Sequence, residues 1–168
     1  MSHKFGIAIH GGAGTILRSS LTGEKEKLYT GALREALNTG YSILENGGSA
    51  LDAVEAAVKN LEDCPLFNAG RGSVFNSEGK HEMDASIMCG KDLSAGAVSL
   101  IKNVKNPISL SRAVMEKSEH VYLCGEGAEE FARKINLPFE GEEYFYDEFR
   151  FNQWKQSVFK IEVVVCDI

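Results

Sequence analysis

The stretch SALDAVEAAVKNLEDCPLFNAGRG, Ser49–Gly72, decides how the chain is organised. Ser49 followed three positions later by Asp52 is a capping-box signature, and Leu51, Val54, Val58 and Leu61 fall on one stripe of the helix it opens. Pro65 ends that helix, and Asn68, Gly70 and Gly72 cannot continue it. The segment therefore predicts a capped helix delivering the chain into a structured loop. Downstream, short strands are expected at 73–75, 81–88 and 95–101, with a turn at 76–79. In 81–88, Met83, Ala85 and Ile87 alternate with Glu82, Asp84 and Ser86, the period-two pattern of a half-buried antiparallel strand.

The rest of the chain extends this reading in both directions. Leu28, Ala32, Ala36, Gly40, Ile43 and Leu44 are at helical spacing over 24–46, and Gly47-Gly48 supplies the stop. Before them, 5–10 is a short apolar run ending in glycines, read as a buried strand entering a glycine loop. After Pro107 the pattern predicts a helix over 110–117, a strand at 121–124 and a helix over 128–136 closed by Pro138. The acidic and aromatic segment 140–156 shows no clean period and is read as irregular. The β-branched run 158–168, with Val163, Val164 and Val165, predicts a strand.

The chain has 168 residues, 43% of them hydrophobic and 25% charged, a balance that suits one globular domain. Folding at this size buries roughly 70% of the unfolded surface. The net charge of -6 argues against a nucleic-acid partner, which calls for a basic face. No apolar run reaches the roughly 20 residues that span a bilayer. Cys64, Cys89, Cys124 and Cys166 form no C-x-x-C pair, and there is no Asn-x-Ser/Thr sequon. These features fit a cytoplasmic protein with reduced thiols.

Several motifs carry chemistry with alternatives open. Gly12 and Gly14 would need a third glycine at Leu17 to complete a dinucleotide fingerprint, and no Walker-type loop occurs, so nucleotide binding is disfavoured. Gly11 and Gly12 either leave backbone room beside a reacting carbonyl or form a tight turn. His10 is a base, a ligand or a structural histidine, with no second histidine at metal-ligand spacing. Asn68 either supports a turn or aims its amide at a ligand. Glu82 and Asp84 share a strand face and are either paired for acid–base work or solvated.

Four segments in register, His10-Gly-Gly-Ala-Gly14, Gly47-Gly-Ser-Ala-Leu-Asp-Ala-Val54, Leu61-Glu-Asp-Cys-Pro-Leu-Phe-Asn-Ala-Gly70 and Met83-Asp-Ala-Ser-Ile-Met88, resemble the isoaspartyl peptidase/plant-type L-asparaginase family of N-terminal-nucleophile hydrolases. Asp92–Val98 and Asn106-Pro107 continue the likeness. The resemblance implies an α+β fold, an αββα sandwich of which this chain is the α-subunit half. It also implies a precursor that cleaves itself before a threonine. That threonine's hydroxyl, activated by its own freed α-amine (pKa about 8), attacks L-asparagine or the isoaspartyl bond of β-aspartyl dipeptides, with no catalytic cofactor.

Carried over residue by residue, the resemblance places His10, Gly11 and Gly12 beside the nucleophile and makes Asn68 an active-site support. It implies a structural sodium ion held by the main-chain carbonyls of Leu61, Glu62, Cys64, Phe67, Ala69 and Arg71; backbone oxygens are hard donors whatever the side chain. The sequence departs from the family at its nucleophile: no threonine follows Thr39, and its single Gly-Thr pair is Gly14-Thr15. The expectation is an α-subunit portion, 1–157, with an atypical tail, 158–168. Catalysis then requires a β subunit that carries the threonine, in a dimer of αβ units. The competing expectation is a truncated, non-catalytic paralogue that pairs with full-length relatives.

Overall fold

Residues 5–13 and 21–166 are described in a computed structural model, 159–166 by backbone alone. The chain forms α1 (Gly23–Glu45), α2 (Ala50–Glu62), a 3-10 turn (Gly70–Gly72), β1 (Met83–Met88), β2 (Ala95–Ile101), α3 (Pro107–Lys117), β3 (Tyr122–Cys124), α4 (Gly125–Lys134), α5 (Glu142–Phe145) and α6 (Glu148–Cys166). This mixture of helices with one small sheet is an α+β arrangement. Gly14 and Thr15 lie outside the described residues.

The helix starts follow the capping chemistry. Thr22 Oγ1 accepts the Lys25 N–H at 3.2 Å and opens α1. At α2 the box closes in both directions: Ser49 Oγ accepts the Asp52 N–H, and Asp52 Oδ2 accepts the Ser49 N–H. The buried face of α2 differs from the expected stripe, however. Ala53, Ala57 and Leu61 are buried, whereas Val54 is exposed. The cause is the closeness of α1: a β-carbon on Gly40 would stand only 2.9 Å from the Ala53 carbonyl oxygen, so the two backbones meet through small residues. Bulky side chains are displaced to the rim, and Leu28 of α1 is likewise exposed.

The sheet has the order β1-β2-β3, with β1 antiparallel to β2 and β3 parallel to it. Its inner face packs Val98 and Ile101 against Leu110 and Val114 of α3 and Ala128 and Ala132 of α4. On the opposite face, Ser86, Ala97 and Tyr122 lie side by side across the three strands, flanked by the pairs Met88–Ala95 and Ser99–Cys124. Tyr122 Oη donates to Ser99 Oγ at 2.9 Å on that face. Met88, Tyr122 and Cys124 are exposed there. The register shifts between Met83 and Ala85, where β2 carries the extra residue. Leu100 adopts φ 55° at this bulge, and its N–H donates to Asp84 Oδ1 at 3.0 Å. Asp84 thus closes a bulge, while Glu82 Oε2 accepts from Asn76 Nδ2, so neither carboxylate stands paired with the other.

Four expectations need correction. Residues 5–10 form no strand among the described residues; Phe5, Ile7 and Ile9 turn toward α1 and its surroundings, but no neighbouring strand is there to pair with. Of 73–75, Phe75 alone forms an isolated bridge, to His81. The segment 140–156 is not irregular: it forms α5 and the first half of α6. Val163–Val165 is helical, continuing α6 across 157/158 without a break. A helix satisfies its own backbone groups, so a β-branched run without a strand partner propagates the helix already begun.

No described helix is long and apolar enough to cross a membrane.

Candidate functional site

The glycine loop and the asparagine loop, far apart in sequence, meet in space. Ile9 packs against a second core cluster formed by Ala36, Leu61 and Phe67, which brings the 10–12 turn toward the end of α2. A β-carbon on Gly11 would lie 3.2 Å from Phe67 Cε1, so Gly11 and the Phe67 ring are immediate neighbours. Gly12 adopts φ +109°, and its N–H donates to His10 Nδ1 at 3.1 Å. His10 therefore closes the turn as an acceptor. His10, Gly11, Gly12 and Asn68 are all exposed, whereas Phe67, which Gly11 touches and which precedes Asn68, is buried.

Asn68 is oriented by the chain that follows it. Its Oδ1 accepts the Val74 N–H at 2.9 Å. With the oxygen so fixed, the Nδ2 group is the free end of the amide.

The loop from Leu61 to Arg71 folds back tightly on the end of α2. Gly70, at φ +50°, and Gly72 are required here. A β-carbon on Gly70 would collide with the Glu62 carbonyl, and one on Gly72 with those of Phe67 and Pro65. The main-chain oxygen of Glu62 thus approaches Gly70, and those of Phe67 and Pro65 approach Gly72. Leu61 O accepts the Cys64 N–H at 3.3 Å and Ala69 O the Gly72 N–H at 3.1 Å, and each retains a second lone pair. A donor set of carbonyls fits a hard cation. Among the described residues, no group of three or more His, Cys, Asp or Glu could hold a metal ion.

Two features beside this loop escaped the sequence reading. Glu62 is a buried carboxyl whose Oε1 accepts the Ile108 N–H at 2.9 Å, while Oε2 has no partner among the described residues. Burial pushes its pKa up to about 8, against the opposing effect of that N–H. Next to it, Asp63 Oδ1 accepts from Asn106 Nδ2 (3.0 Å) and Tyr144 Oη (3.1 Å), and Arg71 lies over the Tyr144 ring. The second feature is Ser73, whose Oγ lies 3.1 Å from His81 Nδ1. The aromatic-rich segment that seemed patternless supplies the cover: Phe151 and Trp154 pack on Phe75, and Phe145 on His81. No sequence spacing announces Ser73–His81, because the contact depends on the tight 76–79 turn.

Comparison with known proteins gives this geometry its context. A model of the asparaginase family matches residues 3–163. The plant-type L-asparaginase of Pyrococcus furiosus is 58% identical over 132 residues, which is 79% of this chain and 42% of that protein. The isoaspartyl peptidase of Salmonella typhimurium is 52% identical over 130 residues, 77% of this chain and 42% of its own length. The isoaspartyl peptidase/L-asparaginase of Danio rerio is 45% identical over 152 residues, covering 90% of this chain and 47% of the relative. The chain thus spans less than half the length of the relatives it matches. At this identity, over this much of the sequence, similarity means common descent and a common fold: the chain belongs to the asparaginase family.

Proposed function

We propose that this chain is the α-subunit portion of an isoaspartyl peptidase/L-asparaginase that hydrolyses β-aspartyl dipeptides and L-asparagine. The nucleophile is a threonine at the N-terminus of a β subunit, freed when a precursor cleaves itself. The observation that carries this reading is the meeting of Gly11 with the Phe67 ring, which brings the exposed 10–12 turn up to the residue preceding exposed Asn68. A hydroxyl delivered to that surface with its own α-amine as base has room at the glycines, and the Asn68 amide is on hand as a polar support. No cofactor is needed for the acyl transfer, and water completes it.

The bare sheet face supports a partner of this kind. Met88, Tyr122 and Cys124 are exposed on a sheet whose other face is covered by α3 and α4, as in a sandwich with one central layer missing. The unpaired run Phe5–His10 fits the same αββα picture, since its strand partner would come from the β half. A dimer of αβ units in the cytoplasm completes the proposal, and the carbonyls of Leu61, Glu62, Cys64, Phe67, Ala69 and Arg71 hold a structural sodium ion.

Co-expression with a second half whose first residue is threonine tests the reading. Release of ammonia from L-asparagine and of free amino acid from β-aspartyl dipeptides by the purified complex is expected. A stable, folded complex with no hydrolysis would instead favour a non-catalytic assembly partner.

A further inference from the structure

We propose that His81 is a positioning residue for the Asn68 amide, acting through Ser73 and Val74. The inference rests on the reading of Asn68 as a support of the site, and it adds a residue with no place in that reading.

Among the described residues, Val74 is the single donor to Asn68 Oδ1, and His81 grips the residues on both sides of it. On one side, His81 Nδ1 meets Ser73 Oγ at 3.1 Å. On the other, the imidazole lies with its centroid 4.1 Å from the Phe75 ring, and Phe75 and His81 form a backbone bridge. Ser73 is buried, so this grip is shielded from competing water. The imidazole is enclosed as well: Phe145 lies 6.2 Å from it and Trp154 packs on Phe75. His81 Nε2 is buried with no partner among the described residues. Desolvation lowers its pKa, against the opposing effect of the Ser73 and Val74 backbone and of Glu142.

The consequence concerns the far end of the amide. Because Val74 donates to Oδ1, the Asn68 Nδ2 group faces outward as a donor, suited to a carboxylate or carbonyl oxygen. Loosening His81 lets Val74 drift and frees the amide to rotate, which misplaces that donor without removing it. Displacements of this size are felt in turnover more than in folding.

The test separates the grip from the reading it rests on. In the 168-residue chain labelled with 15N, His81→Phe keeps the aromatic packing and loses Nδ1. It is expected to shift the Val74 N–H and the Asn68 side-chain amide resonances. His81→Asn, whose Oδ1 occupies the place of Nδ1, is expected to restore both. Ser73→Ala removes the same contact from the other side and serves if His81→Phe does not fold. In the complex with the threonine-bearing half, His81→Phe is expected to lower kcat on a β-aspartyl dipeptide about tenfold with KM little changed, and His81→Asn to recover it.

Val74 and Asn68 resonances unmoved in His81→Phe and Ser73→Ala would overturn the proposal, whatever the activity. So would identical behaviour of the phenylalanine and asparagine variants. If the resonances move as expected but Asn68→Ala leaves hydrolysis intact, the positioning stands and the assignment of Asn68 to the site falls.

Discussion

Phe67 lies against Gly11 so closely that an added β-carbon would stand 3.2 Å from its ring and 2.8 Å from Leu33 Cδ2. The nearer atom is the end of a flexible side chain, which can give way. Gly11→Ala is therefore expected to fold, at a cost of about 1 kcal/mol. Gly12→Ala meets no atom within 4 Å, yet φ +109° strains any residue with a β-carbon, at about 1–3 kcal/mol. Urea unfolding of both variants checks the order. If Gly12→Ala proves neutral while Gly11→Ala unfolds the chain, space rather than backbone conformation controls the turn.

Gly72 offers a harder case, because the obstacles there are backbone atoms. A β-carbon would run into the carbonyl oxygens of Phe67 and Pro65, neither of which can move without opening the loop. Gly72→Ala is expected to lie at or above the upper end of the roughly 1–3 kcal/mol that overpacking costs. Exposed Arg71, one residue earlier, is expected to tolerate alanine within about 0.5–1 kcal/mol, the loss being its stacking on Tyr144. Thermal denaturation of the two variants side by side measures the contrast.

What the sequence disclosed divides along physical lines. Ser49 and Asp52 announced α2 because capping is local chemistry, and Pro65 announced its end for the same reason. Phe5–His10 and Val163–Val165 have the composition of strands, but a strand is a relation between segments. Without a partner, the first follows α1 unpaired and the second joins a helix. Asn68 reads from sequence as either a turn residue or an amide aimed at a ligand, and in the fold its Oδ1 accepts the Val74 N–H. His81 gave no local sign, since its meaning lies in Ser73 and Phe75 across a turn. The side chain of Glu62 gave no local sign either, since its burial depends on α3, whose Ile108 N–H donates to it.

The carbonyl-lined loop predicts a specific dependence on sodium. An ion that binds the folded loop alone would add about 2.7 kcal/mol at a hundred times its Kd. Replacing sodium chloride with choline chloride at constant ionic strength is expected to lower the melting temperature of the chain. Gly72→Ala is expected to abolish the difference, since it displaces the Phe67 carbonyl from the donor set. Equal melting temperatures in the two salts would remove the ion from the loop.

Glu62 predicts how stability depends on pH. The carboxyl is 3% exposed, with its pKa raised to about 8 by burial. Asp63 raises it further, while Lys59, the Ile108 N–H and the Asn106 amide work the other way. A carboxyl raised on folding binds its proton more tightly in the folded chain than in the unfolded one. The associated stability is fully present below the ordinary value near 4.5 and is lost as pH rises through about 8. Urea unfolding is thus expected to show a decline between pH 5 and 9 on the order of a few kcal/mol. Glu62→Gln, neutral and of the same shape, is expected to flatten that decline while remaining folded at pH 9. A variant whose stability falls as steeply as that of the parent chain would assign the loss to another group.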